Sequence, residues 1–251
     1  MESIDTELAA RIRNDIILGQ YEEDERLSET KLCEKYNVSR TPVRLALRFL
    51  ESEGVIQRGE GRGYRVHIPT VADILQAVQV RGHLESLAAR LMAQSSERHE
   101  HLSKLSGAIE RINELLEPGQ IDEKMIHQMR AENAIFHSTI LEGCGNDYVS
   151  LTCKQIRHLP MLSVGSMVFD RSLLETPKRK DNGLLRLRIG NAQHQVIYDA
   201  IKSGDAVRAE AMMREHANIM IEYIQTFEKR DARLTVQDLV AYSSADIDLS
   251  A

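Results

Sequence analysis

The 251-residue chain has no Trp, and its four Phe and seven Tyr bring aromatics to only 4%. A core without large rings must be filled by Leu, Ile, Val, Ala and nine Met, a palette that suits helices better than a β-sandwich. Cysteine is equally sparse. Cys33, Cys144 and Cys153 form no Cys-x-x-Cys pair, and three thiols cannot all pair within one chain, which favours free thiols in a reducing cytoplasm. There is no apolar run of transmembrane length, and Met1 leads into acidic and polar residues rather than an apolar signal-peptide core. The expectation is a soluble cytoplasmic protein with no membrane partner. A strong charge of either sign is also missing: the net −6 excludes a uniformly basic nucleic-acid coat.

The positive charge that does exist is concentrated. Between Val38 and Ile68, Arg40, Arg44, Arg48, Arg58, Arg62 and Arg65 face only Glu51, Glu53 and Glu60, as expected for a small domain that touches phosphate. Around this patch the pattern predicts three helices. Ile4, Leu8, Ile12 and Ile16 recur every four residues, and Gly19 closes that helix. After a polar connector from Gln20 to Arg26, Ser28 can cap a short second helix over Glu29–Tyr36. Asn37 suits a turn, Ser39 can cap the third helix, and Pro42 falls in its first turn, where a missing N–H costs nothing.

The third helix carries the information. Val43, Ala46, Leu47 and Leu50 make one buried stripe, while Thr41, Arg44 and Arg48 share the other side, with Arg40 at its N-terminal end. Val55-Ile56-Gln57 and Tyr64-Arg65-Val66 then predict two short strands around a glycine-rich tip at Arg58–Gly63. Three helices followed by a hairpin make a winged helix-turn-helix over residues 1–68. An arginine face on a helix is by default a solvated surface; the Ser39–Pro42 cap and the basic wing favour DNA. Ser39, Arg40, Thr41, Arg44, Arg48, Arg62 and Gly63 are the candidate contacts to double-stranded DNA. Arg44 is the expected base reader, since Arg pairs well with guanine in the major groove.

The stretch from Ile16 to Val66 resembles the GntR family of regulators. It carries Ile17-Leu18-Gly19, Leu27-Ser28-Glu29, the run Val38-Ser39-Arg40-Thr41-Pro42-Val43-Arg44, Leu50-Glu51-Ser52-Glu53-Gly54 and the wing glycines Gly61 and Gly63. The chain departs from that pattern at Glu23-Asp24, where Pro-Gly is usual, at Leu45, where Glu is usual, and at Thr30, where a basic residue is frequent.

Beyond Ile68-Pro69, Thr70 and Asp73 resemble a capping box. No strand-period segment follows up to Arg230. Helices are expected near 70–95, 97–117, 121–143, 146–168, 184–203 and 205–230, with an exposed loop at Thr176–Gly183. The fold class is therefore mainly α: the winged domain, then an all-α six-helix bundle over 69–230 and a polar tail over 231–251. Bundles hold ligands and metals between facing helices. Asn133 and His137 stack on one helical face, His194 shares a stripe with Ile197 and Ile201, and His216 sits among Met212, Met213, Met220 and Tyr223. A single histidine in such a stripe is ordinarily a core residue with a backbone partner. Three that converge suit a borderline divalent ion such as Zn or Ni.

Arg81-Gly82-His83-Leu84-Glu85, Asn133–His137, and His194 followed by Gly204-Asp205 and His216 make this region similar to the effector-binding domain of the FadR subgroup. That resemblance implies a divalent metal on one Asp and three His, and a small carboxylate effector; one recognition helix reads only a few base pairs, which predicts a homodimer on a palindromic site. Here Asn133 replaces the Asp, which removes a charge. Arg81 is the candidate carboxylate clamp or else an ion pair with Glu85, and Arg188 and Arg186 are placed on the same cavity. Two other functions fit the residues. One is an enzyme that uses the histidine metal, although no phosphate loop, nucleophile elbow or HExxH motif is present. The other is a purely structural helical domain attached to a DNA binder.

Overall fold

The computed structural model describes residues 4–59, 63–156, 162, 164–169 and 171–230. The chain divides into two compact units, one running to Asp73 and the other beginning at Ile74. The wing-tip Arg62 and the polar tail 231–251 lie outside the described residues.

In the first unit, α1 (Ile4–Ile17), α2 (Glu29–Tyr36) and α3 (Arg40–Ser52) enclose a core of Leu8, Ile12, Ile16, Leu32, Val43, Leu47 and Leu50. The apolar stripe of α3 is fully buried, which commits its opposite face to solvent. Asn37 ends α2 in the left-handed conformation, and Ser28 accepts from Lys31 N–H as its N-cap. Ser39 occupies the N-cap position of α3 but makes no cap hydrogen bond, contrary to expectation.

A strand hidden in the polar connector completes the sheet. β1 (Arg26–Leu27), β2 (Ile56–Arg58) and β3 (Tyr64–Val66) are antiparallel in the order β1-β3-β2, with Arg26 opposite Arg65 and Gln57 opposite Arg65 on the other side. Ahead of β1, Asp24 takes φ +62° and donates its N–H to Val66 O at 3.0 Å. This is the position where the resembling sequences place Gly, and a side chain there holds a left-handed backbone at a steric cost. Asp24→Gly is expected to raise stability by ~0.5–1 kcal/mol, read as a later urea midpoint. An unchanged or earlier midpoint would mean that the strain is absent.

The second unit contains six α-helices among the described residues: α4 (Val71–Gln94), α5 (Leu102–Leu116), α6 (Glu123–Gly143), α7 (Asp147–Ile156), α8 (Pro177–Ser203) and α9 (Ala206–Arg230). Thr70 and Asp73 bond reciprocally at the start of α4, as a capping box should. The core packs Ala88, Met92, Leu105, Phe136, Ile140, Ile197, Ile201 and Met213.

Two expectations are corrected. The helix placed at 146–168 ends at Ile156, and Ser166–Phe169 is non-helical. The loop expected at Thr176–Gly183 is instead the beginning of α8. Thr176 caps it by accepting from Arg179 N–H, and Pro177 occupies the first turn. Gly183, read from sequence as a turn residue, is buried in the helix. A Cβ there would lie 3.4 Å from both Ile121 Cδ1 and Phe169 Cζ, so the glycine serves close packing rather than a bend.

Candidate functional site

Each unit carries a candidate surface. On α3 the side chains of Arg40, Thr41, Arg44 and Arg48 are all exposed, as is Ser39 before it. The amphipathic spacing that buries Val43 and Leu47 turns these residues outward together. Arg44 Nε donates to Glu29 Oε2 on α2 at 2.9 Å, which steadies the guanidinium while leaving most of it in solvent. The wing is anchored to the same helix: Glu51 accepts from Arg58 Nε at 2.8 Å and from Tyr64 Oη at 3.2 Å. These bonds, with the nearby Arg58 charge, hold the Glu51 carboxyl below its usual range. Gly63 is exposed at φ +128°, a conformation other residues rarely adopt, so the backbone can approach a surface there. Sequence reasoning missed Glu29, Glu51 and Tyr64, because their roles depend on pairing between elements.

In the second unit, His137 from α6, His194 from α8 and His216 from α9 meet. One ring nitrogen from each lies within 4.8 Å of the other two. The rings of His137 and His216 stack at 5.2 Å, and Phe136 packs on His194 at 4.3 Å between centroids. Each Nδ1 has a partner. His137 Nδ1 lies 2.5 Å from Glu85 Oε2, His194 Nδ1 lies 3.3 Å from Asn191 Oδ1, and His216 Nδ1 lies 3.0 Å from Gln193 Oε1. The Asn191 amide is itself oriented, since its Nδ2 donates to Ile109 O at 3.1 Å.

His194 Nε2 and His216 Nε2 lie 3.2 Å apart, and when both Nδ1 atoms donate to their amide oxygens both Nε2 atoms are acceptors. Two acceptors at that distance repel unless a cation lies between them. Burial, then the neighbouring imidazoles, pushes His194 well below its ordinary value. Burial also lowers His216 to about 3, with His137 adding to the effect. Both are therefore neutral near pH 7 and can offer lone pairs to a metal without first losing a proton.

The histidines line a cavity of ≈ 90 Å³ that also touches Asn133, Glu85, Ser166, Arg81 and Arg186. Asn133 Nδ2 donates to Gly165 O at 2.6 Å, which leaves Oδ1 as the atom able to serve an ion. Gly165 has φ +65°, and a Cβ there would fall 2.8 Å from Ala134 Cα, so this segment rests directly on α6 beside Asn133 and His137. Arg81 forms the ion pair foreseen for it and also lines the cavity. Its Nε lies 3.0 Å from Glu85 Oε1 and its Nη1 donates to Ser166 Oγ at 2.6 Å, while the side chain lines the cavity. The placement of Arg188 is corrected. Six residues before His194, it lies on the far side of α8, is exposed, and donates to Leu116 O at 3.3 Å. Arg186, eight residues before His194, is the arginine that reaches the cavity; its guanidinium stacks 3.1 Å from the Tyr223 ring centre.

Residues 5–66 match the family described as bacterial regulatory proteins, gntR family, and residues 76–218, more than half of the chain, match the FCD domain. The chain belongs to the GntR family of bacterial regulatory proteins. This GntR-family regulator is 26% identical over 217 residues to the HTH-type transcriptional repressor GlaR of Escherichia coli K12, spanning 85% of this chain and 92% of that one. It is 24% identical over 215 residues to the uncharacterized HTH-type transcriptional regulator YdhC of Bacillus subtilis, spanning 86% and 88%. The structure of E. coli McbR/YncC superposes with a TM-score of 0.55 at 19% identity, over 92% of this regulator and all of that chain, and supports the fold. These relatives are named as transcriptional regulators or repressors, not as enzymes. Among the described residues, no helix is long and apolar enough to cross a membrane.

Proposed function

We propose that this transcriptional regulator binds a palindromic operator as a two-fold dimer in the cytoplasm. On this reading it senses a small carboxylate through a divalent metal held by His137, His194 and His216, with Asn133 Oδ1 as a fourth donor. The observation that carries the sensing half is the meeting of His137, His194 and His216, with His194 Nε2 and His216 Nε2 3.2 Å apart, in a buried cavity that Arg81 and Arg186 also line. The donor set fits the ion: neutral imidazoles and an amide oxygen suit Zn or Ni, and each imidazole is steadied through its other nitrogen. The metal would supply a positive centre for the acid, and Arg81 and Arg186 line the same cavity as counter-charges. At ≈ 90 Å³ the cavity equals the liquid volume of about three waters, which is room for a small acid.

The operator-binding half rests on the exposed face of α3 and the anchored wing. Ser39, Arg40, Thr41, Arg44, Arg48, Arg62 and Gly63 form the proposed DNA surface. One recognition helix reads few base pairs, so two symmetry-related copies on a palindrome give useful specificity. Elemental analysis and mass spectrometry of the purified protein should find a transition metal and a small organic acid. Sedimentation should find a dimer on each operator. Protein free of metal, and unable to take up Zn or Ni when these are supplied, would leave a structural helical domain as the better account. A monomer bound tightly to its operator would overturn the dimer.

A further inference from the structure

One group in the cavity does neither of the jobs proposed so far. Glu85 lies one turn after Arg81 on α4 and is fully buried. Its Oε2 meets His137 Nδ1 at 2.5 Å, and its Oε1 lies 3.0 Å from Arg81 Nε. The second contact lacks hydrogen-bond alignment, so it is Coulombic rather than directional. A buried carboxylate is costly, and an apolar pair at positions 81 and 85 would pack the bundle as well. A carboxylate placed there fits a task that needs charge.

Resting on the metal-and-carboxylate reading above, we propose that Glu85 is a positioning residue that couples the two ligands. Through Oε2 it fixes the His137 ring, so that Nε2 is the atom left to face the ion. It also makes that imidazole a stronger donor, as carboxylates hydrogen-bonded to metal-bound histidines do. Through Oε1 it shares its charge with Arg81, whose guanidinium borders the space for the acid. When an anion in the cavity draws Arg81 toward itself, more of the Glu85 charge falls on His137 and the metal is held more tightly. By reciprocity, the metal strengthens the anion. With Asn133 uncharged, Glu85 is the one carboxylate lining the cavity among the described residues.

The test uses full-length protein stripped of metal, Zn2+ titrated against a chromophoric chelator, and acetate as the probe anion. Wild type should bind Zn2+ more tightly as acetate is added. Glu85→Gln, which keeps the shape and loses the charge, should bind Zn2+ about 10–100-fold more weakly and show no acetate dependence. The Co2+ visible spectrum should shift in the same variant as His137 loosens, an effect that lost stability alone would not give. Arg81→Gln supplies an independent reading should Glu85→Gln fail to fold: it should hold Zn2+ at least as well as wild type, without the acetate effect. Equal Zn2+ affinity in Glu85→Gln, an acetate effect that survives in Arg81→Gln, or no acetate effect in wild type would overturn the coupling and leave the metal site standing. Wild type that binds neither Zn2+ nor Co2+ would overturn the metal reading itself.

Discussion

Replacing two of the three histidines, as His194→Ala with His216→Ala, is expected to remove metal binding altogether. A site of three imidazoles and one amide oxygen keeps a single imidazole in the double variant, too few donors to hold Zn2+ against a chelator. Because ligands from α6, α8 and α9 converge on one point, filling the cavity fixes how those helices pack, and the variant should lose its response to the effector. Operator binding without effector should survive, because the winged unit has its own core of Leu8, Ile12, Leu47 and Leu50.

The same variant carries a signature in acid. His194 and His216 titrate below their ordinary value of 6.5 in the folded protein, so below that pH the unfolded chain binds more protons than the native one. Metal-free wild type should therefore lose stability as pH falls from about 6.5 toward 3. The double variant should lose less across that window, measured by thermal melts at pH 7 and pH 5. A double variant that still answers its inducer normally would make the cluster structural and end the sensing model.

How much of this was legible in the sequence follows from what kind of interaction fixes each part. The exposed arginine face of α3 was legible because one segment supplies both halves of the pattern: Val43, Ala46, Leu47 and Leu50 bury, so Arg44 and Arg48 must emerge. The histidines were legible for the same reason, each lying on an apolar stripe of its own helix. Two of the partners of their Nδ1 atoms were not. Glu85 and Gln193 acquire meaning only when α4 meets α6 and α8 meets α9, whereas Asn191 lies three residues before His194 on the same helix, within reach of the spacing. Arg186 was within reach of arithmetic: positions 186, 190 and 194 share a face, whereas 188 does not.

The misplaced end of α7 has a different cause: Pro160 falls within the apolar spacing that suggested a longer helix, and it is a local helix breaker that the reading passed over. The extra turns of α8 were hidden by Asn182-Gly183, a dipeptide that signals a turn in water and a close helix contact when Phe169 covers it. At α8 tertiary packing overrode the local signal.

Arg44→Ala is the substitution expected to act most strongly on DNA. The side chain is largely exposed, with 61% of its surface in solvent, and its partner Glu29 is also exposed, so the variant should fold with little loss of stability. The bond to Glu29 engages Nε and leaves Nη1 and Nη2 as the donors that can pair with O6 and N7 of guanine. Removing such a contact should weaken specific operator binding by ~1–3 kcal/mol at fixed salt, which is about 5–150-fold. Affinity for unrelated DNA should change far less, so the specificity ratio falls. The salt dependence separates this role from a phosphate contact, whose loss weakens all sequences alike and reduces the slope of log K against log[salt] by about one. Titrations of operator and unrelated duplex at several salt concentrations, alongside Arg40→Ala and Arg48→Ala, resolve the two roles. If Arg44→Ala lowers the slope with the specificity ratio intact, Arg44 grips the backbone and the base reading belongs to another residue on the face. Unchanged operator binding at fixed salt would mean that this face of α3 does not enter the groove.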